Sequence, residues 1–333
     1  MKLRLLTVIF AVALSPAACL TPSLFGAAKL HGDPGCDYSV EAMIGNETFK
    51  LIVDTGSSTL AVASRLCKTC LVDNLHDDAD VQPTLSNRVS VTYGSGSWSG
   101  IVEDGEMTIA GLPAVSTNFA SIRSHRNFFQ EGCRHKFDGI LGLAYERIGR
   151  GNIRPLIDTL ASKGVANNFA IQLCGPKDEA PGSMRSGNFW IGGLDPGFMK
   201  NTMQFTPIAK EYYYNVHMTS IKVGEKLLSD SLYSIDTIVD SGTTQLILND
   251  KSLYTALISE IRAQKMITFG NPAAVDAKFW NGEICHPKSD VGYKLNKNVT
   301  VTLSLFGGVQ LNLTQEHLFR EVLCDENRQS SEK

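Results

Sequence analysis

Between residues 36 and 60 apolar and polar side chains alternate, with turn signals at Asp33-Pro34-Gly35 and Ile44-Gly45-Asn46. That is the period of a half-buried hairpin, and it feeds a loop at Asp54. Similar text predicts strands over 89–93, 100–109 (ended by Gly111), 168–173, 188–191, 212–223 and 299–305. Helical spacing occurs in two short pieces, 153–163 and 252–264. The class is therefore mainly β with a few helices. Residues 175–187, rich in Pro, Gly, Lys and Ser, read as a surface loop inside the first half. The junction between halves is placed at 192–201, and no short period recurs that would indicate a solenoid.

Composition narrows the picture. A chain of 333 residues that is 43 % apolar can bury large cores, and its length favours two domains. Lys and Arg number 31 against 34 acids, with no basic stripe interleaved with aromatics, so nucleic acid is not an expected partner. Residues 1–19 begin with Lys2 and Arg4, continue through an apolar run from Leu5 to Leu14 and end in small residues, the plan of a secretory signal peptide. Residues 20–35 then form a short leader. No later stretch is apolar for the roughly 18 residues a spanning helix needs, so this chain is expected to carry no membrane anchor. Sequons at Asn46, Asn298 and Asn312 are glycosylation candidates along a secretory route.

One phrase occurs twice, as Ile52-Val-Asp-Thr-Gly-Ser-Ser-Thr59 and as Ile238-Val-Asp-Ser-Gly-Thr-Thr-Gln245. Each copy enters on an apolar strand and carries a carboxylate, Asp54 or Asp240, at a tight Gly turn. Gly56 and Gly242 permit that turn. Thr55 and Ser241 are placed to reach the opposite backbone, and Ser57 and Thr243 to donate to the carboxylates. Two such loops face to face make an acid protease centre: one carboxylate takes a proton from water while its protonated neighbour hydrogen-bonds the substrate carbonyl. Like charges that close share one proton and titrate in two coupled steps, which predicts an acidic working range. The long repeat implies two lobes related by a pseudo-twofold axis.

Other signals point elsewhere and are weaker. Cys67-Lys-Thr-Cys70 has redox or zinc spacing, but no second pair completes a site, and a secretory setting favours a bridge. The acidic run 73–80 lacks the central Gly and closing Glu of a calcium loop and reads as solvated. Residues 94–100 are Gly-rich without a Lys, a poor phosphate cradle and a good flap hairpin. With no Gly-x-Ser-x-Gly, a serine nucleophile has no anchor. No metal or organic cofactor is implied.

The paired loops resemble those of the pepsin family of aspartic endopeptidases, and further motifs agree in order from Cys36 to Cys324. Val91-Thr-Tyr-Gly-Ser-Gly96 is similar to that family's flap, with Tyr93, Gly94 and Ser95 at its tip. Phe137-Asp-Gly-Ile-Leu-Gly-Leu-Ala-Tyr145 resembles the segment bracing the first aspartate loop, and Trp190-Ile-Gly-Gly-Leu-Asp195 the strand crossing into the second lobe. Trp98 five places after Tyr93, Ala61 where most pepsins carry Trp, and the phrases FDGILGLAYERI, IQLCG, TPIAKEYYYNV, IVDSGTTQL and FWNGEIC are similar to the β-secretase branch. The resemblance implies a bilobal fold, an N-terminal lobe over 36–195 and a C-terminal lobe over 196–333, a peptide or protein substrate and a monomer. It also implies that Trp98 holds the Tyr93 hydroxyl. Lys210 falls where that branch has a substrate-contacting basic residue; read by itself it is a solvated lysine.

The chain departs from the family pattern after Cys324, where the second bracing segment and the final strands are missing, so an incomplete second lobe is expected. A catalytically impaired truncated form, or a peptide-binding homologue, is therefore the alternative to an active enzyme. The resemblance pairs Cys285 with Cys324, lets Cys67 close a small loop with Cys70 and Cys36 pair with Cys133, and leaves Cys174 without a partner. The leader is too short for the pro-segment with which pepsins plug the cleft. Location on the secretory route follows, either secreted or in the lumen of an acidic compartment.

Overall fold

The computed structural model describes residues 24–32, 37–129, 136–174, 187–198, 202–232, 236–270, 279–280 and 293–319. The signal peptide, Cys36, Cys133, Cys285, Cys324 and most of the loop at 175–187 lie outside the described residues.

The chain is mainly β. A ten-stranded sheet is built from β1 (Gly26–Gly32), β2 (Tyr38–Ile44), β3 (Glu47–Asp54), β4 (Leu60–Ala63), β5 (Arg88–Thr92), β6 (Ser97–Ile109), β7 (Val115–Arg126), β8 (Gly139–Gly142), β9 (Phe169–Gln172) and β10 (Asn188–Ile191). Its order is β5-β6-β7-β4-β8-β3-β2-β1-β10-β9, and a β2–β6 pairing closes part of it on itself. β4 and β8 are buried at every position, which is why they are continuous apolar runs rather than alternating ones. β3 and β8 run parallel with Asp54 opposite Gly142, so the carboxylate leaves the sheet from a doubly flanked strand end. Leu30, Phe49, Leu51, Met107, Phe119, Leu141 and Phe189 fill one core, and Trp98, Ile122, Ile140 and Ile153 belong to another.

Residues 26–32, expected to lie in a leader, instead form β1, antiparallel to both β2 and β10. Pairing on both edges and burial of Leu30 outweigh the weak strand preference of Gly, Ala and Lys. The helix expected over 153–163 is the shorter α1, Leu156–Ala161. Pro155 holds its start in extended backbone, and Gly164 at φ +93° follows its end.

By packing, the described residues divide into a larger unit, 24–216 with 238–243, and a smaller one, 217–237 with 244–319. The division is not near 192–201. β11 (Lys210–Glu211) pairs with the start of β12 (Tyr214–Val223), and Tyr214 packs on the larger unit's core. In the smaller unit β12 continues beside β13 (Lys226–Ser229), with β14 (Asp236–Ile238, its last residue in the larger unit), β15 (Ile267–Phe269), β16 (Tyr293–Leu295), β17 (Val301–Leu305) and β18 (Gln310–Leu313) following. The helix α2, Lys251–Ala263, is capped by the Asp250 carboxylate, which accepts from the Ser252 and Leu253 amides at 2.8 and 3.0 Å. Its buried stripe is Leu253, Leu257 and Ile261. Lys226 meets Glu260 at 2.9 Å.

The loop after β4 is tied down by charge. Cys67 and Cys70 form a disulfide. The acidic run beside it is engaged by basic side chains: Asp73 with Lys50, Asp77 with Arg65, and buried Asp78 with Arg123. Asp78 also accepts from the hydroxyls of Ser64 and Ser121. Burial would raise its pKa, but these donors together hold it below the usual carboxylate value. His76 lies between Glu47, at 2.6 Å, and Glu103, at 3.5 Å, with Phe49 and Phe119 against its ring. Burial alone would lower its pKa, yet the two carboxylates outweigh it and the net shift is upward. A raised histidine pKa adds stability that is complete below its unfolded value and is lost as pH rises through the folded one. His76→Leu is therefore expected to lower Tm more at pH 5 than at pH 8, which melting curves at the two pH values test; equal losses would contradict the assignment.

Candidate active site

Both aspartate loops belong to the larger unit. Each is a strand end followed by a turn in which the amide two residues on folds back to its own aspartate. Gly56 donates to Asp54 Oδ1 at 2.8 Å, and Gly242 donates to Asp240 Oδ1 at 2.8 Å. One residue further, the Ser57 hydroxyl donates to Asp54 Oδ2 and the Thr243 hydroxyl to Asp240 Oδ2. The similar phrases thus produce similar hydrogen bonds.

The loops are laced together by a reciprocal exchange. Thr55 donates its hydroxyl to the Val239 carbonyl at 2.9 Å and accepts from the Ser241 amide at 2.8 Å. Ser241 donates its hydroxyl to the Val53 carbonyl at 2.6 Å and accepts from the Thr55 amide at 3.0 Å. The glycines then matter for space. A β-carbon on Gly56 would sit 2.5 Å from Asp240 Oδ1, and one on Gly242 would sit 2.3 Å from Asp54 Oδ1. Each carboxyl therefore lies directly over the other loop's glycine, where no side chain fits.

The two carboxyls are not equivalent. Asp54 is 4 % exposed, whereas Asp240 is half-buried. Burial first, and the neighbouring Asp240 charge second, push the Asp54 pKa up to about 8, against the opposing hydrogen bonds from Ser57 and Gly56. The raised value means the folded chain binds a proton that the unfolded chain releases near pH 4. Stability from this group is full below that range and is lost as pH rises through the folded value. Asp54→Asn is expected to flatten the fall in Tm between pH 5 and pH 8.5; an unchanged slope would place the retained proton elsewhere.

Beside the pair, the Trp98 indole donates to the Tyr93 hydroxyl at 3.2 Å, and Phe128 stacks on the Tyr93 ring at 5.4 Å. Burial, then the Asp54 charge, raise the Tyr93 pKa, so the phenol stays neutral. A family model described as eukaryotic aspartyl protease matches residues 37–329. The chain belongs to that family. Among curated relatives it is 33 % identical over 280 residues to a beta-secretase of Strongylocentrotus purpuratus, covering 76 % of this chain and 50 % of the relative. It is 30 % identical over 217 residues to cathepsin D of Canis lupus familiaris, covering 60 % of this chain and 52 % of the relative. To pepsin A of Gallus gallus it is 28 % identical over 220 residues, covering 65 % and 58 %. The chain spans about half the length of these curated relatives.

In this aspartyl protease chain Gly94 and Ser95 lie exposed at the tip of the hairpin that carries Tyr93. The sequons differ in setting. Asn46 is exposed at the turn between β2 and β3 and Asn298 is exposed before β17, while the Asn312 side chain on β18 accepts from the Thr302 hydroxyl at 2.8 Å. Among the described residues no helix is long and apolar enough to cross a membrane. Two contributors escaped the sequence reading: Phe128, an aromatic with no periodic context, and Tyr214, whose partners are the Leu143 carbonyl and the Val239 amide, backbone groups that leave no trace in side-chain spacing.

Proposed function

We propose that this chain is an aspartic endopeptidase. Asp54 holds the shared proton because it is the more buried of the pair, so the charge falls to Asp240. Asp240 takes a proton from a water lying between them. The water oxygen attacks the scissile carbonyl carbon while Asp54 donates to the carbonyl oxygen; the C–N bond then breaks as Asp240 passes its proton to the amine nitrogen and a hydroxyl of the tetrahedral diol returns a proton to Asp54. No covalent enzyme intermediate forms, and neither metal nor cofactor is called for. Aspartic proteases are the general instance of such a proton-sharing pair. The observation that supports the reading most is the reciprocal seating of each carboxyl over the opposite glycine.

Tyr93, Gly94 and Ser95 would close over bound peptide, with Trp98 fixing the Tyr93 hydroxyl. The substrate is a peptide or protein, met along a secretory route in an acidic compartment or outside the cell, by a monomer. One observation favours the second reading, a peptide-binding chain with impaired catalysis. Ile238, which leads into Asp240, is 41 % exposed, whereas Ile52, its counterpart before Asp54, is 6 % exposed. Folded, secreted protein incubated with a denatured protein at pH 4 to 5 decides between them. Pepstatin-sensitive cleavage supports the protease, and retention of the peptide without cleavage supports the second reading.

A further inference from the structure

We infer that Tyr214 is a positioning residue of the carboxyl pair, anchoring both aspartate loops through one residue. Its backbone carbonyl accepts from the Val239 amide at 3.1 Å, immediately before Asp240. Its hydroxyl donates to the Leu143 carbonyl at 2.8 Å, and the Leu143 amide donates to the Asp54 carbonyl at 2.8 Å. Val239 in turn accepts from the Thr55 hydroxyl, which closes the circuit. Asp54, Leu143, Tyr214, Val239 and Thr55 thus form a ring of contacts around the site, all within the larger unit.

The side chain is built to hold that geometry. Its ring sits against Tyr145 at 5.3 Å and Phe169 edge-on at 5.6 Å. The ionisable groups that act on it are Tyr145 and Asp158. Burial, then those two neighbours, keep the phenol neutral, so it remains a donor across the working range. A buried carbonyl deprived of its donor is costly, and Leu143 would find a new partner only by moving. Movement of Leu143 moves the Asp54 backbone with it. The Thr55 and Ser241 exchange remains, so the loops would shift without separating.

This inference rests on the protease reading, and the test separates the two. Tyr214→Phe keeps the ring and removes only the hydroxyl. Expected are a kcat roughly tenfold lower with KM changed less than about twofold, since the lost contact orients reacting groups rather than substrate. The alkaline limb of the kcat profile is also expected to move to lower pH, because loosened carboxyls repel less and admit water. The same loosening reduces the fall in Tm with rising pH, a readout that needs no catalysis. Should the unaltered chain fail to cleave peptide, the protease reading fails while the pH slope of stability still tests Tyr214. Wild-type kcat with an unmoved limb and slope would overturn the inference, as would a lower kcat matched only by a uniform loss of Tm at every pH.

Discussion

Asp54→Asn is expected to give a chain that melts higher near neutral pH and no longer cleaves peptide. Both effects follow from one fact: a buried carboxyl lies against another carboxyl. At pH 7 to 8 the native state must either keep a proton on Asp54 or tolerate two neighbouring charges, and both alternatives cost stability. An amide removes the choice. It leaves the Gly56 amide with an acceptor oxygen and preserves side-chain volume, so the fold has little to lose. On the proposed mechanism, catalysis loses its proton donor. Removal of one member of a tightly interdependent catalytic set commonly lowers kcat by about 10⁴-fold or more. Asp240→Asn is expected to match it in activity, because the base is then absent, but to add less stability because Asp240 is half-buried. Kinetics on a peptide substrate with melting curves at pH 7.5 checks both. If either variant retained more than about a tenth of wild-type kcat, the pair would not be the catalytic unit.

Gly242→Ala is the second large effect. The new methyl would be placed 2.3 Å from Asp54 Oδ1, far inside contact distance, and the obstructing atom belongs to a side chain already held by Gly56 and Ser57. The carboxyl cannot swing aside without breaking those bonds. Overpacking of this kind typically costs about 1–3 kcal/mol, and here it also displaces a reacting group. Activity is expected to fall at least a hundredfold, since misplacement of a reacting group by about 1 Å can cost that much. Gly45→Ala is a suitable comparison, because a β-carbon at Gly45 meets nothing within 4 Å, although φ +57° there carries some strain. It is expected to lower Tm modestly and leave kcat alone. Activity within twofold of wild type for Gly242→Ala would mean that the loops are not as closely opposed as described.

Much of this was legible in the residues. Two aspartates in matching phrases, each followed by a glycine and hydroxyls, already specify which amide and which hydroxyl can reach each carboxylate, and the hydrogen bonds of Ser57 and Thr243 follow that local rule. Local text also marked the strand 188–191 and the helix near 252–264, because Asp250 caps a stripe of Leu253, Leu257 and Ile261. What escaped was set by distant partners. β1 has little strand character of its own and forms because β2 and β10 both pair with it. β7 begins Val-Ser-Thr-Asn and ends Ser-His-Arg, polar enough to read as loop, yet it pairs along its length with β6. The packing division within β12 was likewise invisible, since Tyr214 joins the larger core through contacts with Tyr145 and Phe169, far away in sequence. Spacing says that two loops match. It does not say which backbone carbonyls hold them together.

The most direct test of the shared-proton pair is a carboxyl titration by NMR on protein with isotope-labelled aspartate, compared with Asp54→Asn and Asp240→Asn. One carboxyl resonance should keep its proton well above pH 6, disappear in Asp54→Asn, and move to lower pH in Asp240→Asn as the neighbouring charge is removed. Two resonances titrating independently near pH 4, each indifferent to the loss of the other, would contradict the account.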